Sequence, residues 1–179
     1  RPNPRSNDVE RCSKKFKSKN ISNVIGIGGG SVMDMAKAVT VRLEESCSLE
    51  KIISEKKLLK KRKNTLMLLP TTSGTGSELS YGSILTVDST GEKIGLRGAE
   101  VAADFALVDP ILSFSMPLKI SMISGFDALT HAIETWVSNA ASKETKNNSK
   151  EAIKNILDNL PKIFLNQSDF KAREKICYS

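Results

Sequence analysis

Histidine is almost missing: His131 is the single one in 179 residues. No site that needs two protein histidines can be completed within one copy of this chain. The three cysteines (Cys12, Cys47 and Cys177) are odd in number and widely spaced, with no CxxC pair. They form neither a disulfide framework nor a zinc ribbon, and they favour a reducing compartment. Aromatic residues make up only 5%, few for a surface that stacks on bases. No run approaches the roughly 18 apolar residues of a membrane helix. The opening Arg1-Pro2-Asn3-Pro4 has neither an initiator methionine nor a signal-peptide core. Internal repeats and low-complexity tracts are absent. The chain reads as a soluble, cytosolic protein with no membrane partner, cut from something longer.

What is present is an ordinary globular composition. Hydrophobic residues are 39%, which argues against wholesale disorder, and the length allows one medium domain or two small ones. Lys and Arg number 27 against 20 Asp and Glu, giving a formal charge of +7. The excess sits around Lys14, Lys15, Lys17 and Lys19, and again in Lys56-Lys57 and Lys60-Lys61-Arg62-Lys63. Glu44, Glu45, Glu50 and Glu55 are interspersed with the second group. Solvated surface therefore outweighs a nucleic-acid patch, and no nucleic-acid partner is expected. The N-x-S sequons at Asn20, Asn147 and Asn166 are incidental in a cytosolic protein.

Residues 6–19 read as a short basic helix. Asn23 to Gly28 is a compact run rich in β-branched residues and reads as a buried strand. Helical spacing follows from Ser31, where Ser31 and Asp34 have the spacing of a capping box. Residues 44–63 are charged, part helix and part loop. Thr65 to Leu69 is another buried strand, stopped by Pro70. Thr71 to Glu78 is too rich in glycine and threonine for a stable helix. Tyr81 to Val87 and the segment from Lys93 flank a turn at Asp88–Glu92, and Phe105 to Val108 makes one more short strand. Pro117 suits a helix start, and 125–138 and 144–165 have helical periodicity. The expected architecture is an α/β half over 1–112 and an all-helical half over 113–179.

Three places could carry chemistry. Gly28-Gly29-Gly30-Ser31 lies between a strand and a helix, so backbone can approach a ligand and first-turn amides can face a phosphate. It is neither the usual dinucleotide fingerprint nor a Walker loop; a plain tight turn is the competing reading. Thr71 to Glu78 concentrates hydroxyls and glycine amides after a second strand. In an open parallel sheet both loops would emerge at the edge where nucleotides bind. Lys93 could supply a counter-charge there or be plain surface. Finally, Asp127 and His131 stand one helical turn apart, a carboxylate and an imidazole on one face that could share a divalent ion. A lone histidine among apolar neighbours is ordinarily a core residue, and the carboxylate one turn back sets the two readings level.

These segments together resemble one family. Gly28 to Lys37, Pro70 to Glu78, Asp109-Pro110 and Gly125 to Glu134 stand in the order and spacing of the iron-containing, group III alcohol dehydrogenases. The resemblance runs from Pro2 to Glu174. It implies an α/β nucleotide-binding domain followed by an all-helical domain, a dehydroquinate synthase-like architecture with the active site in the cleft between. It also implies NAD or NADP as cofactor and Fe²⁺, alternatively Zn²⁺, as metal. By the same resemblance Gly28, Gly29, Gly30 and Ser31 are the pyrophosphate loop. Thr71, Thr72 and Ser80 match nucleotide-contacting positions, Lys93 a lysine near the phosphates, and Asp127 and His131 the first two metal ligands. The metal would polarise the oxygen of a small alcohol or aldehyde while hydride passes to or from the nicotinamide. A homo-oligomer is the expected assembly of the complete enzyme.

The sequence also departs from that family. No histidine follows His131, although the family's two further metal ligands are histidines from later helices. The strand and helix that open the family's nucleotide domain have no counterpart here. Ala103, Phe126 and Trp136 stand where proline, methionine and tyrosine are common. The chain therefore resembles the middle of such an enzyme and is expected not to turn over alcohol by itself. A glycerol dehydrogenase-like relative and a basic nucleic-acid-binding module are the alternatives.

Overall fold

The computed structural model describes residues 3–179. Arg1 and Pro2, where the resemblance begins, lie outside the described residues. The elements in order are α1 (Ser6–Phe16), β1 (Asn23–Gly28), α2 (Gly30–Glu44), α3 (Leu49–Ser54), β2 (Thr65–Pro70) and β3 (Gly82–Thr86). They continue as β4 (Lys93–Arg97), β5 (Phe105–Ala106), α4 (Leu118–Val137), α5 (Lys143–Leu165) and α6 (Phe170–Cys177). Packing divides the chain into two units. One holds Arg1–Leu69 and Ser77–Leu107; the other holds Pro70–Gly76 and Val108–Ser179. The first is α/β and the second helical, the fold class the sequence implies.

In the α/β unit the strand order is β1-β2-β5, with β2 and β5 parallel and Met67 opposite Phe105. A separate antiparallel hairpin pairs β3 with β4, from Gly82 opposite Arg97 to Thr86 opposite Lys93. Helix α2 lies at the centre, buried continuously from Ala36 to Val41. Val39 and Val41 pack with Val9, Leu49, Leu85 and Leu96, while Met33 and Ala36 pack with Leu66 and Leu68. Such two-sided burial is what lets one short helix organise a small unit. The strand β1 is not buried on both faces as its apolar run suggests. Ile25 and Ile27 are more than half exposed, because successive strand side chains alternate and α2 packs against only one face.

Three carboxylates tie this unit together. Asp88, in the hairpin turn, accepts from the Asn7 amide at 2.9 Å, from the Ser6 hydroxyl at 3.2 Å and from Arg5 at 2.8 Å. It thereby supplies the N-terminal cap that Arg5 cannot offer α1. Glu10 accepts from Arg42 Nε at 2.7 Å and the Leu49 amide at 2.6 Å. Asp104 accepts from the Leu66 amide at 2.7 Å and from Arg62 at 2.9 Å. The Arg5 bond, with the Asn7 amide, holds Asp88 below its ordinary value. For Glu10 and Asp104 burial pushes upward, but the arginine and amide bonds outweigh it and both end lowered.

A carboxyl lowered in the folded state contributes stability above its unfolded pKa, and loses it as pH falls through the folded value. The urea midpoint is therefore expected to be flat near neutrality and to fall steadily below about pH 4. Circular dichroism at a series of pH values checks this. A midpoint unchanged down to pH 3 would remove the three carboxylates from the account.

The helical unit is built on α4, α5 and α6. Ile156, Leu160 and Ile163 pack with Ala172 and Ile176, and Met122, Ala128 and Leu129 close over them. Helix α4 starts at Leu118, earlier than the apolar spacing suggests, just after Pro117. Helix α6 was not legible as a separate element. Arg173, on α6, is 2% exposed. It donates to the carbonyls of Gln167 (2.8 Å), Ser113 (3.0 Å) and Met116 (3.3 Å), and to the Ser121 hydroxyl at 3.2 Å. No helix among the described residues is long and apolar enough to cross a membrane.

Candidate functional site

The turn from β1 to α2 is set by Gly28, whose φ of +157° suits glycine. A Cβ there would stand 2.7 Å from Val32 Cβ. Gly29 is the residue before the helix, in extended backbone, and no side chain caps the helix behind it. The Val32 and Met33 amides both turn back to the Gly29 carbonyl, at 2.9 and 3.1 Å. That leaves the amides of Gly30 and Ser31 as the outward donors of a 15-residue helix. No acidic residue stands in the first turn to neutralise them. The Ser31–Asp34 capping box does not form. Ser31 Oγ instead accepts from the Asn3 amide at 3.1 Å, and Asp34 accepts from Ser77 Oγ at 2.7 Å and the Ile84 amide at 3.0 Å. Such an open N-terminus fits an anion, and a pyrophosphate among them.

Still in this unit, Ser80 is exposed at the start of the hairpin and Lys93 is exposed at the first position of β4. Beneath Ser80 lies Lys37, which is fully buried. Its ammonium donates to Gly82 O at 2.8 Å, to Ser80 Oγ at 2.9 Å and Ser80 O at 3.0 Å, and also contacts Ser77 O and Oγ. Burial pushes Lys37 below the ordinary lysine value, while the charges of Asp34 and Glu78 pull it back up. A lysine inside the motif Ala36-Lys37-Ala38 carries no sequence signal of such a role.

In the helical unit, Thr71 and Thr72 follow β2 and are half-buried. Thr72 Oγ1 is shut off from solvent and has no hydrogen-bond partner. A buried hydroxyl in that state is costly unless something else completes it. The loop is anchored through Ser73, whose Oγ lies 3.2 Å from Cys177 Sγ, and through Gly74, which stands against the backbone of Ser124. On α4, Asp127 is half-buried and His131 exposed. Among the described residues His131 is therefore not packed in a core. Neither side chain makes a hydrogen bond or ion pair with another described residue. The pair offers one oxygen and one nitrogen donor at a spacing of one turn. No third histidine, cysteine or carboxylate joins them among the described residues. That is short of the three or four ligands that hold a metal firmly.

Comparison with known proteins bears on both units. Residues 1–110 match the family model described as iron-containing alcohol dehydrogenase, and residues 121–179 match the C-terminal model of the Fe-containing alcohol dehydrogenase family. The chain is 33% identical over 174 residues to the choline dehydrogenase of Bacillus subtilis (strain 168), covering 96% of this chain and 43% of that protein. It is 38% identical over 152 residues to long-chain-alcohol dehydrogenase 1 of Geobacillus thermodenitrificans (strain NG80-2), covering 84% and 38%. Among solved structures, the sulfoacetaldehyde reductase of Bifidobacterium kashiwanohense in complex with NAD⁺ superposes with a TM-score of 0.94 at 31% identity, covering 99% of this chain and 47% of that one. The chain spans less than half the length of these relatives.

Proposed function

The chain belongs to the iron-containing alcohol dehydrogenase family, and from that premise we propose that it carries nucleotide-anchoring and metal-ligating residues of an NAD(P)-dependent oxidoreductase acting on a small alcohol or aldehyde. The observation that carries this reading is the uncapped N-terminus of α2 behind Gly29. In the α/β unit, the Gly30 and Ser31 amides bind the pyrophosphate, and the absence of a Gly29 side chain lets it approach. Ser80 presents a hydroxyl to the nucleotide and Lys93 a positive charge. Thr71 and Thr72, in the helical unit, stand at positions the family pattern gives to nucleotide contacts, and they belong to the same reading as hydroxyl donors and acceptors. The nicotinamide supplies hydride acceptance and donation when bound. The protein's part is to hold it by these amides and hydroxyls.

Asp127 and His131 would be two of the residues that hold a divalent metal, iron or zinc, whose chemistry there would be to polarise a substrate oxygen. They fit that task as a pair only. The 179-residue chain by itself is therefore expected to hold metal weakly and not to turn over alcohol. Because His131 is the one histidine, its ring nitrogens report on this directly. Titration with Zn²⁺ is expected to shift or broaden the His131 imidazole signals in heteronuclear NMR, and Asp127→Asn to weaken the response severalfold. Unchanged imidazole signals at millimolar Zn²⁺ would remove the ligand role.

The test of the nucleotide reading is Gly29→Val. The Gly29 backbone, φ −77° and ψ −177°, is one that valine adopts readily, so the variant should fold. Its branched side chain fills the approach to the two amides. NADH affinity by calorimetry is expected to fall at least tenfold, with the thermal midpoint nearly unchanged. Retained affinity in a folded variant would take the phosphate away from this turn.

A further inference from the structure

We infer that Lys37 is a positioning residue for the nucleotide, one that turns the Ser80 hydroxyl into an acceptor for a sugar hydroxyl. The inference rests on the nucleotide reading above and names the kind of group that Ser80 recognises. Lys37 is at 0% exposure, so its ammonium cannot itself reach a ligand in solution. What it does reach is the underside of the turn that displays Ser80. It has three protons to give, and five oxygens of Ser77, Ser80 and Gly82 surround it.

The consequence for Ser80 follows from counting. Its Oγ accepts from Lys37 at 2.9 Å, which occupies one lone pair. Its proton has the Gly82 carbonyl at 3.2 Å and the Ser77 carbonyl at 3.3 Å within reach. One lone pair then remains, on a residue that is exposed. A hydroxyl in that state takes a hydrogen bond from a donor. A phosphate oxygen accepts only, and so does not suit it, whereas a ribose hydroxyl does. Charged neighbours reinforce the arrangement. A hydroxyl polarised by an ammonium donor is a firmer acceptor than one bonded to a neutral group. The turn is further pinned by Asp34, which holds Ser77 Oγ and the Ile84 amide on either side of it.

The experiment is a double-mutant cycle on the 179-residue chain, with NADH and inorganic pyrophosphate as the two probes. Lys37→Met and Ser80→Ala are each expected to weaken NADH binding roughly three- to tenfold. The double variant should bind no worse than either single one, because Lys37 acts through Ser80. Pyrophosphate affinity, which reads only the α2 amides, should change by less than twofold throughout. A general loosening of the unit would instead weaken both probes. If Lys37→Met does not fold, Lys37→Gln, which keeps an N–H donor, takes its place in the cycle. Independent, multiplicative losses overturn the positioning role. So does a Ser80→Ala variant with unchanged NADH affinity, or one that loses pyrophosphate instead. If the unsubstituted chain binds pyrophosphate and not NADH, this inference fails while the anion site stands. If it binds neither, the nucleotide reading has failed first.

Discussion

Arg173→Met is expected to destabilise the helical unit by about 3 kcal/mol, the largest effect of any single substitution considered for that unit. The guanidinium is buried with no carboxylate beside it, and burial alone lowers its pKa. Its role is to supply hydrogen bonds to main-chain carbonyls outside the regular helices. Gln167, Ser113 and Met116 all offer carbonyls to it from irregular backbone or helix ends. Methionine fills similar volume, so the cost isolates the lost acceptor bonds, chiefly those of the Gln167 and Met116 carbonyls, since the Ser113 carbonyl keeps the Met116 amide at 3.1 Å; a buried acceptor without a partner costs roughly 1–3 kcal/mol. Trp136 is the one tryptophan and lies on α4, in the same unit. Its fluorescence in a urea titration reads this unit directly. A midpoint within error of the unsubstituted chain would mean that the carbonyls find other partners.

Gly74→Ala is expected to cost about 2–3 kcal/mol, at the upper end of what overpacking does. A Cβ at Gly74 would stand 2.2 Å from the Ser124 carbonyl oxygen and 2.7 Å from its carbon. Both belong to the backbone of α4, which cannot turn aside. Gly125 makes the useful contrast. A Cβ there would stand 2.4 Å from Leu160 Cδ1, the end of a side chain that can rotate away. Gly125→Ala should therefore cost less, about 1–2 kcal/mol. The order of the two midpoints, again by Trp136 fluorescence, is the check. Since Gly74 shares its loop with Thr71 and Thr72, Gly74→Ala should also disturb the hydroxyls offered there. Equal costs at the two glycines would show that the α4 backbone yields where the geometry says it does not.

Much of the fold could be read from local pattern. The strands β1 and β2 and the helices α1 and α5 fall within a few residues of where apolar runs and helical spacing put them. What local pattern does not carry is how many faces of an element are covered. Ile25 and Ile27 look like core in sequence and are exposed, because β1 is packed from one side. The same limit hid α6. It is eight residues long, and of its residues only Ala172, Arg173 and Ile176 are buried. Its one clear signal was Asp169, which accepts from the Ala172 amide as an N-cap should.

Charged residues turned inward were the harder class. Lys37 and Arg173 are the two largest fully buried side chains, and nothing in the residues beside them announces it. Apart from Gln167, their partners are main-chain carbonyls and hydroxyls from 40 or more residues away, as with Ser77 and Ser113. Asp34 shows the same effect in reverse. Its spacing from Ser31 suits a local cap, yet the Ile84 amide and the Ser77 hydroxyl, both brought near by the hairpin, take it. The proposed site residues, by contrast, stand out in the sequence through motif order, since glycine turns and hydroxyl loops keep their chemistry on the chain itself.

The central claim, that the β1–α2 turn binds the pyrophosphate of a nicotinamide dinucleotide, is tested most directly by backbone NMR. Uniformly ¹⁵N-labelled chain, titrated with NAD⁺, should show its largest saturable amide shifts at Gly29, Gly30 and Ser31, moving downfield as the amides gain an anionic acceptor. Inorganic pyrophosphate should move the same three signals in the same direction. Saturable binding of NAD⁺ that leaves the Gly30 and Ser31 amides unmoved would contradict the account.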